Sequence, residues 1–331
     1  MRRPGCRRAA RSWWSGAGVG AEVQVAGEVE GLGERERERE PETAVPSLGR
    51  RRLLGALAVA VVGAGAVGGA MVEDVLPGGA RLRRAFGMTG RDGAVPGFAA
   101  GAVRTATEHS RARGRDVQLV VMDPPGADRH DLPVCLALHG HGSDAAAFVD
   151  LGVPQFLAAA VAAGVPPFRI VAVDGGDIYW HARSVADDPM AMLTTELPGW
   201  LAARQLAEPT RVMGISMGGS GALQYARARQ GGVSAIALLS PALFRSWEDA
   251  RTVDAYRDRA DWREHEPLQH LGELGQVGRI GVWCGTEDPF CPAARRLSGA
   301  PGVRTHFPRG LHTGGFWRRV MPDAVALLGA R

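Results

Sequence analysis

Gly214-Ile215-Ser216-Met217-Gly218 stands between an apolar run ending at Met213 and a small-residue stretch that opens a helix. A chain with this pentapeptide has little freedom there. A strand must turn into a helix so sharply that the residues around the serine carry almost no side chain. Gly214 and Gly218 permit the close approach, and Gly219 extends the clearance. The same turn holds Ser216 on strained backbone, with Oγ exposed and the following N–H groups aimed where an oxyanion would form. With 46 glycines in 331 residues, the pattern by itself is only moderately specific. Its context carries the argument.

Downstream, the short strand Arg279–Cys284 runs into Gly285-Thr286-Glu287-Asp288-Pro289, and the strand Val303–Phe307 runs into Pro308-Arg309-Gly310-Leu311-His312. A serine hydroxyl needs a base within hydrogen-bond reach, and that imidazole needs a carboxylate to fix its tautomer. The order serine, acid, histidine supplies both at strand ends, where open α/β sheets place their ligands. Asp288 occupies the fourth position of Gly-x-x-Asp and is the expected acid. Glu287, Asp254 and Asp261 compete for the role. His312, in the loop before the last helix, is the expected base, while His306 lies inside a strand and reads as an edge or packed side chain. Upstream, the buried strand Val134–Leu138 leads into His139-Gly140-His141-Gly142, so the backbone N–H groups of His141 and Met217 are the expected oxyanion donors.

Strands also recur at 102–107, 116–122, 169–173, 210–215 and 235–239, with alanine-rich helical stretches at Pro154–Ala163, Ala191–Arg204 and Ala222–Gln230. Short apolar strands alternating with helices predict an α/β fold: a mostly parallel central sheet with helices on both faces, and an antiparallel edge from the 102–122 pair. The segment from Trp247 to Leu274 is longer and more charged than a usual crossover and reads as a cap at the pocket mouth.

These features together resemble an α/β-hydrolase of the esterase-D and antigen-85 mycolyltransferase group. The resemblance rests on Leu138-His139-Gly140, Gly214–Gly219, Thr195-Glu196-Leu197-Pro198, and His312 followed by Phe316-Trp317, and it runs from about Ala102 onward. It implies a three-layer α/β-hydrolase fold. The implied activity is hydrolysis of carboxylic esters, small-molecule or lipid, through Ser216, His312 and Asp288, without a cofactor. Acyl transfer to a sugar or lipid alcohol is the alternative, and a non-catalytic envelope protein retaining the fold is a third reading.

Composition narrows the partners. All 39 basic residues are arginine, and neither lysine nor asparagine occurs, as a GC-rich coding sequence would give. Residues 1–70 hold 11 Arg against 8 Glu, leaving 28 Arg against 27 acids beyond them, so nucleic-acid binding by the folded part is not expected. Residues 1–49, with their Glu-Arg repeat, read as a disordered tail or as the product of a misplaced start. Residues 50–72 open on Arg50-Arg51-Arg52-Leu53-Leu54 and continue uncharged. They resemble a twin-arginine export signal that would contact the export machinery, with a membrane anchor as the alternative. Residues 77–331 form the expected catalytic domain.

Four motifs stay undecided or fall away. Tyr179 and Trp180, with Asp174, Asp177 and His181 in the loop after the 169–173 strand, either line the substrate pocket or form a structural loop. His139 and His141 at i, i+2 lack a third ligand nearby, so no metal is expected. Gly63–Gly68 fits G-x-G-x-x-G by letter without the strand that a dinucleotide site requires. Cys284 and Cys291 bracket the acid loop. They would be bridged in an oxidising compartment or otherwise stand as two small apolar residues.

Overall fold

The computed structural model describes residues 89–126 and 131–330, all within one compact unit, Ala70–Arg331. The expected tail and the twin-arginine-like segment lie outside the described residues. Eight strands form one sheet: β1 (Val103–Ser110), β2 (Arg115–Met122), β3 (Val134–Leu138), β4 (Arg169–Val173), β5 (Pro209–Ile215), β6 (Ala235–Leu239), β7 (Arg279–Trp283) and β8 (Val303–His306). Their spatial order is β1-β2-β4-β3-β5-β6-β7-β8. The first two strands pair antiparallel, β2 meets β4 antiparallel, and every other pairing is parallel. This is the α/β-hydrolase fold that the alternation of elements predicts.

The strands are apolar at successive positions because both faces of the sheet are covered. In β3, Leu136 and Leu138 point into one core with Trp180, Met217 and Tyr225, while Cys135 and Ala137 point into another with Phe156, Phe316 and Val320. Helix α1 (Val153–Ala162) and the C-terminal helix supply the second core; the helix after the elbow supplies the first. The result is three layers.

Strand order reverses at the centre: from β3 the chain moves to β4, then returns past β3 to β5. Loops at the carboxyl ends of β3 and β5 therefore diverge and leave a crevice, the usual ligand position in such sheets.

Two helices differ from expectation. The stretch expected as one helix over Ala191–Arg204 is broken: a π-turn at Met192–Glu196 precedes α2 (Leu197–Ala202). Pro198 has no N–H to continue the ladder, and the Thr194 and Thr195 hydroxyls donate back to the carbonyls of Met190 and Ala191, at 2.9 and 2.6 Å. The helix expected at 222–230 is α3 (Met217–Ala228), which starts directly after the serine. At the end of the π-turn, Glu196 accepts from the Ser110 hydroxyl and the Arg111 and Ala112 N–H groups, fastening the β1–β2 hairpin to this element.

The segment after Trp247 is a series of short turns around α4 (Arg259–His265). The final helix is α5 (Gly314–Gly329), capped by Thr313, whose hydroxyl accepts from the Phe316 N–H. Among the described residues, no helix is long and apolar enough to cross a membrane.

Candidate active site

Ser216 is the N-cap of α3, with φ 55° and ψ −121°. A non-glycine residue in that region is strained by about 1–3 kcal/mol. Its surroundings hold it there. The Ser216 N–H donates to Leu239 O at 3.0 Å, and its carbonyl accepts from the N–H groups of Gly219 and Ala242 at 2.8 and 2.9 Å. A methyl group on Gly214 would collide with the carbonyl of Gly218, and one on Gly218 with the carbonyl of Leu138. Strand β3, strand β5 and α3 therefore close on one another only through glycine.

Two further loops complete the arrangement. His312 Nε2 lies 2.9 Å from Ser216 Oγ, and His312 Nδ1 lies 2.9 Å from Asp288 Oδ2. The Asp288 carboxylate is fully buried, whereas the His312 ring is a quarter exposed. Burial by itself would raise the Asp288 pKa. The charge and hydrogen bond of His312 oppose that, aided by the Phe290 N–H donating to Oδ1 at 2.9 Å, and the carboxyl is held below its ordinary value. Phe290 and Trp317 meet the His312 ring edge-on, each at 5.3 Å.

The neighbouring Glu287 has a different task. Its carboxylate accepts from the Gly310 N–H at 2.7 Å, and its own N–H donates to Gly310 O at 3.0 Å. With Thr286 N–H on Pro308 O, this zips the acid loop to the histidine loop and sets their distance. Of the other acids weighed, Asp254 pairs with Arg183 and Asp261 with Arg257, both away from His312. His306 is an exposed residue of edge strand β8. Cys284 and Cys291 are free, buried thiols; the hydrogen bond between them raises the Cys284 pKa and lowers that of Cys291.

The loop after β3 is fixed from outside itself. His139, 2% exposed, donates from Nδ1 to Gly140 O at 2.8 Å and accepts the Gly175 N–H on Nε2 at 2.9 Å. Both nitrogens are thus committed in a neutral ring, and burial lowers its pKa further from the charged form. Asp177 accepts the Gly142 N–H at 2.5 Å, and Asp174 accepts the Ala145 N–H at 2.9 Å. Gly140 is drawn so close that a Cβ there would lie 3.2 Å from Ser216 Cβ.

Here the pocket-lining expectation for Tyr179 and Trp180 is corrected. Trp180 is wholly buried, its indole N–H donates to His139 O at 3.2 Å, and its ring fills the space left by Gly175 and Gly221. Tyr179 is 4% exposed and packs against Phe244 and Tyr256. Both residues are buried because this loop is the brace of the one beside it, so neither presents a face to substrate. Their sequence signal, aromatics after a parallel strand, does not distinguish lining from bracing. What the sequence reading missed is the bracing function of Asp174, Asp177 and His139.

A serine on a strained turn, hydrogen-bonded in series to a histidine and a buried aspartate across an α/β-hydrolase sheet, has the geometry that serine hydrolases use. The Esterase family model matches residues 110–319, and the chain belongs to that family. Over 116 residues, 29% of this chain and 34% of the relative, it is 33% identical to the diacylglycerol acyltransferase/mycolyltransferase Ag85A of Mycobacterium tuberculosis. The chain thus matches about a third of that curated relative's length.

Similar solved structures include a ferulic acid esterase, with TM-score 0.59 and 18% identity over 70% of this chain and 98% of that one. An S-formylglutathione hydrolase from Agrobacterium tumefaciens gives 0.58 and 18% over 72% and 98%. Mycobacterium tuberculosis MPT51 gives 0.53 and 21% over 69% and 100%. At these identities the likeness to solved structures is one of fold. The resemblance to the esterase-D and antigen-85 group read from the sequence is borne out.

Proposed function

We propose that the protein hydrolyses carboxylic esters through an acyl-enzyme formed on Ser216. The observation that carries this reading is the unbroken series Ser216 Oγ, His312 and Asp288, joined by two 2.9 Å contacts. Ser216 Oγ attacks the ester carbonyl while His312 Nε2 takes its proton. Asp288 keeps the proton of Nδ1 in place and steadies the imidazolium. His312 then returns a proton to the departing alkoxide, and water, activated by the same nitrogen, releases the acid.

The tetrahedral oxyanion is held by the backbone N–H groups of Met217 and His141. Met217 supports this role as the first residue of α3, since N–H groups in a helix's first turn have no intrahelical partner. The close seat of Gly140 against Ser216 supports His141. Losing one such donor typically costs ~10²–10³ in turnover.

A fluorophosphonate probe, with p-nitrophenyl esters of increasing chain length, tests the proposal. Labelling should map to Ser216, and both labelling and turnover should vanish in Ser216→Ala with the fold intact. Turnover surviving in that variant would refute the assignment.

The similarity to a protein named as an acyltransferase favours a second reading, transfer of the acyl group to a sugar or lipid alcohol. Product analysis with and without added alcohol separates the two. Export is the matching reading of residues 50–72, supported by Arg50-Arg51 before an uncharged apolar stretch. Lysine lacks arginine's planar fork, so replacing Arg50 and Arg51 by Lys should retain the protein in the cytoplasm on fractionation. An unchanged distribution would overturn export by that route.

A further inference from the structure

His181 follows Trp180 in the bracing loop, and its side chain is 1% exposed. Its Nδ1 donates to Tyr179 O at 3.2 Å, so Nε2 carries a lone pair. That nitrogen has no hydrogen-bond partner, yet it faces Asp261 Oδ2 at 3.5 Å. Two acceptors confront each other inside the protein, an arrangement that a cation between them resolves.

The third group is supplied by helix geometry. Asp261 and His265 stand at i and i+4 on α4, on one face of that helix. His265 Nδ1 lies 3.2 Å from Asp261 Oδ1, and the His181 and His265 rings stack with centroids 4.5 Å apart. One ligand atom from each of the three residues lies within 4.8 Å of the others. A tetrahedral zinc site with bonds of ~2.0–2.1 Å has ligand-to-ligand edges of about 3.3–3.4 Å. The gap of 3.5 Å from His181 Nε2 ends on Asp261 Oδ2 and the gap of 3.2 Å from His265 Nδ1 ends on Oδ1, so the carboxylate turns one oxygen toward both rings when the metal binds.

The outer contacts also match those of a metal centre. A ligating histidine characteristically donates its other N–H to a backbone carbonyl, as His181 does to Tyr179, and a ligating carboxylate is itself hydrogen-bonded. Asp261 Oδ2 accepts the Arg257 N–H at 2.8 Å. The nearest cations are engaged elsewhere or near the surface: Arg183 pairs with Asp254, and the half-exposed Arg257 guanidinium sits on Asp261 Oδ1. On binding, His265 Nδ1 exchanges its hydrogen bond to Asp261 O for the metal.

We infer that His181, Asp261 and His265 form a site for a divalent transition-metal cation, zinc by ligand type, with water completing the tetrahedron. None of the three belongs to the Ser216–His312–Asp288 series. The metal would act as a clamp between the loop after β4 and α4. Tyr256 stacks on His181 at 5.1 Å and meets Phe244, which meets Phe290 beside His312.

The test uses the untagged full chain after chelator treatment, titrated with Co²⁺ and then Zn²⁺. One equivalent of Co²⁺ should give the visible ligand-field bands of a tetrahedral site, Zn²⁺ should displace it, and Zn²⁺ should raise the melting temperature. His265, on the helix surface, is the least disruptive ligand to remove. His265→Gln should weaken binding by more than the ~10–100-fold that loss of an outer-shell partner costs, with circular dichroism unchanged. His270→Gln, altering a nearby surface histidine paired with Glu273, should leave binding as it was.

X-ray absorption of the zinc-loaded wild type should show two imidazoles and one carboxylate, a readout independent of how any variant folds. No stoichiometric binding, undiminished binding in folded His265→Gln, or a scattering shell without imidazole would overturn the inference.

Discussion

Replacing Asp288 by asparagine changes one atom and separates orientation from mere presence of a polar group. Asp288 Oδ1 accepts the Phe290 N–H, so the asparagine oxygen must occupy that side; an NH₂ there would set donor against donor. The NH₂ then faces His312 Nδ1, where Oδ2 had been 2.9 Å away. Nδ1 can meet that donor only as an acceptor, which moves the ring proton to Nε2. Nε2 faces Ser216 Oγ at 2.9 Å and, carrying a proton, cannot take the serine's.

The expected loss is ~10⁴ in kcat, the size of effect a wrong tautomer produces in such triads. At 1.36 kcal/mol per decade this is about 5.4 kcal/mol of transition-state stabilisation. KM for a p-nitrophenyl ester should barely change, because no substrate contact is lost, and fluorophosphonate labelling should slow in parallel with kcat. Glu287→Gln keeps an oxygen for the Gly310 N–H and should be mild. A loss under about tenfold in Asp288→Asn, or an equal loss in Glu287→Gln, would refute the reasoning.

Trp180→Ala should destabilise the protein by about 3–5 kcal/mol, read as a lowered urea midpoint, because a wholly buried ring is removed. A raised KM at unchanged stability would instead return Trp180 to the substrate pocket. Glu266 is wholly buried, accepting from Tyr256 Oη and the Phe244 N–H, and burial raises its pKa to about 8. The folded state therefore holds a proton that the unfolded chain has already released. Stability from this group should fall as pH rises from about 4.5 to about 8 and stay level above. Glu266→Gln should flatten that part of the melting-temperature profile, and an unchanged slope would count against it.

The sequence made the centre of the sheet legible because strands such as β3 and β6 are uninterrupted apolar runs of five residues, too short for helices and bounded by turn residues. The elbow was equally plain, since only glycine satisfies the collisions found at Gly214 and Gly218. Asp288 and His312 followed from position at strand ends. The division of labour between Asp288 and Glu287 depends on which carboxylate the zipped loops turn inward, and adjacency in sequence hides it. The broken helix at Met192–Glu196 was hidden too, as Thr194 and Thr195 act through hydroxyl bonds to their own backbone. His181 stands 80 residues before Asp261 and 84 before His265, so spacing along the chain does not bring the three together.

The bracing of the loop after β3 bears on how such a site can be re-engineered. Its shape is written largely in another segment, by Asp174, Asp177 and the Gly175 N–H that His139 receives. Residues 139–145 and 174–181 therefore behave as one exchangeable part. A graft that imports the first stretch from a relative while keeping the second would deliver the right letters on an unsupported backbone. Moved as a pair, the two stretches carry their own scaffold with them.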